Sequence, residues 1–378
     1  MIQTKNPFET VSLISGSKEL NVDTHQSNRY CILVNSEKGK EAYYFSTPIY
    51  HEHSCRLVRP QFVVSNDGFY FVGSNCEVRV TSTNLKLQRG TQSCVLQFER
   101  PQAWEFRGKE LISDQLSIVP TYNGVCIEGD ILQRAFEVTA DFGYQSLRTN
   151  QSCVCFMESR FKPIMVMSAL FATRQGTGCQ PLQLSYRKTS VSNGALSFAA
   201  DNRYCTHAAF EISFYEPKLI QDTPVSGNYP RENNAFGPIA FVGKSNYYGT
   251  QWLYSRLDIG KMPELNGKRI QKIKLYIPRF TRNATELNAF ALSNRFCSFG
   301  STWINKIEKE ERHDSLKVDQ DYLCLDLTQR YVNRGLLSES AGVVIAPARS
   351  TDDVGYQAIS TGDSYLAPPV LCVKYANY

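Results

Sequence analysis

Residues 61–81 read Gln61-Phe62-Val63-Val64-Ser65-Asn66-Asp67-Gly68-Phe69-Tyr70-Phe71-Val72-Gly73-Ser74-Asn75-Cys76-Glu77-Val78-Arg79-Val80-Thr81. Three apolar or alternating runs, at 61–64, 68–73 and 76–81, are separated by polar, glycine-bearing turns. Period-two alternation rich in Val, Phe and Tyr marks strands, and Asn-Asp-Gly marks the tight turn that joins them. The same pattern continues outward at 42–46, 94–99, 136–139, 164–167, 182–186 and 209–215, with turn chemistry such as Arg89-Gly90 between runs. Strand starts about 8–12 residues apart predict an all-β sandwich or barrel. The expected fold class is all-β, two β-sandwich domains.

Residues 216–237 carry three prolines and little periodicity, so the domain boundary is expected there. The predicted division is 1–217, an attachment or assembly domain, and 218–378. Beyond the boundary, strands are expected at 272–277, 289–292, 322–327, 342–346 and 369–375. Helix is expected only briefly. One turn is read at 131–135, and a short helix runs from Thr328 as N-cap, with Tyr331 and Val332 on its apolar face, to Gly335.

The 378 residues include 41 Lys and Arg against 36 Asp and Glu, a formal net charge of +5, with no block of like charges. The densest run, Glu308-Lys309-Glu310-Glu311-Arg312, is mixed in sign and reads as a solvated turn. Nucleic-acid binding needs concentrated positive charge, so no nucleic-acid partner is expected. No stretch reaches the roughly 18 apolar residues of a membrane-spanning helix, so no membrane insertion is expected. Met1-Ile2-Gln3-Thr4-Lys5-Asn6-Pro7-Phe8 lacks the basic and apolar regions of a Sec signal. The expected location is a virion or a cell or spore surface reached without that signal, with the cytoplasm as the alternative.

The twelve cysteines mostly sit inside apolar runs, as in Tyr30-Cys31-Ile32-Leu33-Val34 and Leu371-Cys372-Val373. Without an export signal they read as reduced, buried small hydrophobes. Cys153-Val154-Cys155 places two thiols on one strand face, with no further ligands evident.

His51-Glu52-His53 is the most metal-like cluster, since i and i+2 on a strand share a face, but no third ligand follows. No metal site and no cofactor are predicted. Nucleophile-elbow and Ser-x-x-Lys patterns are missing, and Gly176 and Gly178 are not followed by a helical pattern. No catalytic residue is assigned. Asp352-Asp353 and Glu308 with Glu311 are acids of the kind found in polar loops, although a glycosidase pair meets only in space. Asn150-Gln151-Ser152 and Asn283-Ala284-Thr285 match the glycosylation acceptor by chance if the chain is not secreted.

The second half carries an ordered set of motifs. Asp222-Thr223-Pro224-Val225 is followed by Asn233-Asn234-Ala235-Phe236-Gly237 and Ile239-Ala240-Phe241-Val242-Gly243. Then come Ser255-Arg256-Leu257-Asp258-Ile259 and the alternating run from Ile270 to Ile277. Thr302-Trp303-Ile304-Asn305 follows, then Leu325-Asp326-Leu327-Thr328 through to Gly342-Val343-Val344-Ile345. The series closes with Pro368-Pro369-Val370-Leu371-Cys372-Val373-Lys374-Tyr375. In this order the stretch 219–375 resembles the DNRLRE domain family, which overlaps a group of carbohydrate-binding modules. The resemblance implies a jelly-roll-like β-sandwich without catalytic residues, used as a module in surface, wall-associated or phage-related proteins. On physical grounds, Trp303 is expected to pack over one end of the sandwich, Asp326 to lie at a helix N-terminus, and Pro368-Pro369 to stand at a strand entrance.

Sugar rings stack on exposed aromatics beside planar polar groups. The glycan-binding candidates are Tyr229, Arg231, Tyr247, Tyr248 and Trp252, next to Asn228 and Asn246. The competing reading places these aromatics in the core or edge of a sandwich. The functional expectation is a non-catalytic structural or attachment protein, borne on a particle such as a phage virion appendage or a spore surface. Its expected partners are other structural proteins or copies of itself, and a polysaccharide. A bacterial cell-surface or secreted carbohydrate-binding protein is the alternative, and a glycan-active hydrolase without a recognisable motif is the third class.

Overall fold

The expected alternation is realised as antiparallel sheet. A computed structural model describes the chain apart from residues 1–5, 29, 37–38, 48, 50–60, 74, 122, 133, 143–145, 151, 160–161, 174–178, 181, 201–206, 259–261, 263–264, 266, 282–284, 330–341, 350–352, 365–366 and 377–378. The described residues form thirty strands and one helix bounded at both ends, so the protein is all-β.

Two compact units divide the chain, Met1–Val58 with Pro217–Tyr378, and Arg59–Glu216. Each is a sandwich of two sheets. In the Arg59–Glu216 unit, Phe71, Val78, Leu87, Leu96 and Phe136 of one sheet face Ile118, Val125, Met167 and Phe210 of the other. Phe136 packs edge-on to Phe198 at 5.8 Å and against Phe210 at 5.8 Å. Alternation explains the construction: Ala135–Asp141 is buried at every second residue. Each fully buried side chain of this size contributes about 1.5–3 kcal/mol.

The other unit opens with helix α1 (Pro7–Ser15) and strands β1 (Cys31–Ser36) and β2 (Gly39–Phe45). After the second unit come β3 (Ile220–Ser226), β4 (Ile239–Ser245), β5 (Gly249–Leu257), β6 (Arg269–Pro278), β7 (Leu287–Leu292) and β8 (Lys309–Ser315). Then follow β9 (Lys317–Asp319), β10 (Tyr322–Asp326), β11 (Val343–Pro347), β12 (Gly355–Ser360) and β13 (Val370–Ala376). One sheet has the order β1-β2-β13-β6-β10-β9. The other has the order β8-β7-β11-β5-β4-β12, with β3 on β5. Leu33, Tyr44, Leu275, Leu325 and Leu371 of the first sheet meet Val242, Leu253, Ala289, Ile345 and Ile359 of the second.

The domain expectation is therefore corrected. A boundary does fall at residue 217, but residues 1–58 belong with 217–378 and the Arg59–Glu216 unit is an insertion. The cause is strand pairing, because β2 lies on β13 from Lys40↔Tyr375 to Phe45↔Val370. Alternation shows that a segment is a strand and leaves its partner open.

Three local expectations also change. Helix α1 is absent from the sequence reading, although its signals are present: Asn6 Oδ1 accepts from Phe8 N at 2.9 Å, Pro7 opens the helix and left-handed Gly16 closes it. Its Val11 packs with Ile32, Tyr43 and Phe45 on the outer face of the first sheet. The charged run at 308–312 is not a turn, since residues from Lys309 onward form edge strand β8, paired with β7. Charge on an edge strand opposes pairing with other chains. The described residues of 131–135 carry no helix, and Ile131 is buried in the core. Asp326 does cap a helical start, its Oδ1 accepting from Thr328 N at 2.9 Å, whereas Tyr331, Val332 and Gly335 lie outside the described residues. Pro369 stands at the entrance of β13 as expected, its carbonyl accepting from Ser46 N.

Candidate glycan-contacting surface

The five candidate residues fall into two groups. Strand β5 alternates, so Leu253 faces the core while Trp252 and Tyr254 face outward. On this outer face Val225, Tyr254, Phe290, Leu292, Val344 and Ala346 form a satellite cluster. The connection between β7 and β8 folds back over it, bringing Phe296, Trp303 and Ile307. Tyr254 Oη donates to Ile307 O at 2.5 Å, and Asn233 Nδ2 donates to Ser298 O and Ser301 O, both at 2.7 Å. Trp252 meets Trp303 at 5.2 Å between ring centroids.

Two ammonium groups overlie these rings. Lys306 Nζ is 5.7 Å from the Trp252 ring and 5.1 Å from Trp303, and Lys309 Nζ is 5.5 Å from Trp252. Such contacts contribute about 0.5–1 kcal/mol where exposed and more where desolvated. Burial lowers the Lys309 pKa, with Glu308 opposing, and Lys306 is paired with Glu308 at 2.6 Å. Trp252 is therefore part of a covered packing layer. Trp303, expected over one end of the sandwich, lies on this face instead. Lys306 and Lys309 were not among the candidates, and only the parity of Trp252 against Leu253 signals this layer in the sequence.

Tyr229, Tyr247 and Tyr248 do come together. Tyr229 is 5.5 Å from Tyr247 and 6.2 Å from Tyr248, and Tyr247 meets Tyr248 edge-on at 4.6 Å. Their depths differ: Tyr248 is 4% exposed and stacks on Phe241 at 5.2 Å, whereas Tyr229 and Tyr247 are half-buried. Phe241 in turn meets Tyr356 of β12 at 5.7 Å. Tyr248 is thus the foundation and the other two rings form the accessible rim. Arg231, two residues along the same loop from Tyr229, is exposed.

Backbone chemistry holds the rim in place. Asn228 Nδ2 donates to Asn246 O at 3.2 Å and Tyr247 O at 3.0 Å, while Asn228 N donates to Tyr248 O. Gly249 follows with φ +65°, and a Cβ there would lie 2.5 Å from Asn228 Oδ1. Glycine is required on both counts. On the far side, Ile304 N donates to Pro230 O at 3.1 Å, tying the loop to the β7–β8 connection.

His51, Glu52 and His53 lie outside the described residues, as does Asp352. Among the described residues no three His, Cys, Asp or Glu side chains group as metal ligands. No helix among them is long and apolar enough to cross a membrane. Nine cysteine side chains are described, none of them in a disulfide among the described residues, with Cys297 exposed and Cys372 half-buried. Burial pushes Cys76 and Cys372 up to about 12 and raises Cys94 and Cys126. A thiol so shifted stays protonated and is a poor nucleophile.

No family model matches the chain, and no curated protein matches it. Among solved structures, the N-terminal domain of the Streptococcus gordonii adhesin Sgo0707 aligns at 10% identity and a TM-score of 0.19, over 95% of this chain and 92% of that one. At that score the likeness carries no argument, and the fold rests on the strands themselves.

Proposed function

We propose that the protein is a non-catalytic attachment protein whose first unit contacts polysaccharide through Tyr229 and Tyr247, with Arg231, Asn228 and Asn246 as polar neighbours. The observation that carries this reading is the pair of half-buried rings 5.5 Å apart, seated on buried Tyr248 and fixed by Asn228. A platform already held in place loses little side-chain entropy on binding. Such a rim offers little apolar area, so single-site binding is weak and useful attachment comes from many copies together. Display in numbers on a particle or on a cell or spore surface fits that requirement.

The experiment is binding of the full chain, displayed multivalently, to an array of host-wall, plant and algal polysaccharides. Tyr229→Ala with Tyr247→Ala should reduce binding at least tenfold while leaving the melting temperature within a few degrees. If the wild type binds no polysaccharide, or the double variant binds as well, this reading is abandoned.

A further inference from the structure

The turn at 361–364 fastens several parts of the first unit. Thr361 N donates to Pro238 O at 3.1 Å, and Thr361 Oγ1 donates to Gly237 O at 2.6 Å. Chain leaving β2 anchors here, Thr47 Oγ1 donating to Ser364 O at 3.3 Å. Chain entering β3 anchors here too, Lys218 Nζ standing 2.7 Å from Asp363 Oδ1. The turn sits against β3 so closely that a Cβ at Gly362 would lie 2.5 Å from Ile220 O.

Asp222 of β3 completes the contact. Its Oδ2 accepts from Gly362 N at 2.6 Å, while Oδ1 is buried with no hydrogen-bond donor among the described residues. The residue is 4% exposed. The charged groups acting on it are Asp363 from the turn and Lys218 from the segment entering β3. Strand β5 opposes it with uncharged Ser255. The Lys218 ammonium is thus paired with Asp363, while the Asp222 carboxyl lies buried near that pair. An unpaired buried charge is costly, and a proton on one carboxyl removes it.

We propose that Lys218, Asp222 and Asp363 form a proton-operated latch: a proton on the buried Asp222 carboxyl keeps the 361–364 turn closed on β3, and its loss at higher pH releases the turn together with the segment entering β3. The electrostatics agree. Burial first, and then the Asp363 charge, push the Asp222 carboxyl well above the usual range, against the Gly362 N–H and Lys218. Burial likewise raises Asp363, with Lys218 opposing. In the open form Asp222 returns to an ordinary value of about 3.9. The latch is therefore fully closed below that value and is lost as pH rises towards the closed-state pKa. Between the two, opening releases one proton, so its equilibrium constant climbs about tenfold per pH unit.

Hydrogen exchange read by mass spectrometry on the full chain from pH 4.5 to 8.5, corrected for intrinsic rates, tests this. Peptides spanning 217–226 and 361–364 should show that rise, while β6 stays protected. Asp222→Asn keeps an oxygen for Gly362 N and removes the charge, so its profile should be flat and more protected at pH 8. Asp363→Asn removes the neighbouring carboxylate but leaves Asp222 buried, so the rise should level off at lower pH than in the wild type, which keeps the test decisive if the first variant does not fold. A flat wild-type profile, a slope that persists in Asp222→Asn, or an Asp363→Asn profile identical to the wild type overturns the latch.

Discussion

Tyr44 and Leu371 stand opposite each other in one antiparallel ladder, near the two ends of the chain. Their side chains enter the same core, with Leu33, Leu275 and Leu323. The first unit is consequently closed by its N-terminal strands, and the other sandwich interrupts it between β2 and β3.

A fragment of residues 219–378 should therefore fail to fold by itself. It lacks Cys31, Leu33, Ala42 and Tyr44 from the core and leaves β13 without its β2 neighbour. Leu33 and Tyr44 at about 1.5–3 kcal/mol each, with smaller terms from Cys31 and Ala42, are a large share of a whole domain's stability of about 5–15 kcal/mol. Residues 1–58 joined by a flexible linker to 217–378 should melt cooperatively with dispersed amide resonances. A cooperative melt of 219–378 alone would refute the assignment of β1 and β2.

The three tyrosines should separate in mutagenesis. Tyr248→Ala removes a ring 4% exposed and should cost about 3–5 kcal/mol, measured by urea unfolding. Tyr229→Ala and Tyr247→Ala should each cost about 1 kcal/mol or less, since both rings are half-buried. Equal costs at all three positions would show that the rim belongs to the core.

Trp303→Ala should uncover Trp252 and the outer face of β5, costing about 2–4 kcal/mol. With Trp303 5.2 Å from Trp252, the emission of the remaining indoles should shift to the red. Lys306→Ala should cost only about 0.5–1 kcal/mol, the scale of a partly exposed cation–π contact. An unchanged spectrum in Trp303→Ala would contradict the covered layer.

Thiol labelling at pH 8 should reach Cys297 in the native protein and the buried cysteines only after unfolding. Cys76 and Cys372, pushed up to about 12 by burial, should remain unreactive even at pH 9. Mass spectrometry of non-reduced protein showing four or more defined disulfides would overturn the reduced-thiol reading.

The sequence by itself determined the all-β class, because period-two alternation such as that of 135–141 and 76–81 survives unchanged into buried and exposed faces. It also brought forward Tyr229 with Arg231 and, separately, Tyr247 and Tyr248 with Trp252, since turn-flanking aromatics beside asparagines are legible locally, whereas the meeting of the three tyrosines was not. Depth among the three tyrosines was not legible either, because Tyr248 is buried by Phe241, a residue of the preceding strand reached only when β4 and β5 pair. Trp252, on the outer face of β5, was covered for the same kind of reason, the β7–β8 connection folding back over its face of the sheet. The insertion was decided by tertiary structure alone. A strand's alternation records which face is buried, whereas its partner is chosen by hydrogen bonds between segments, so nothing local to residues 39–45 points to 370–376.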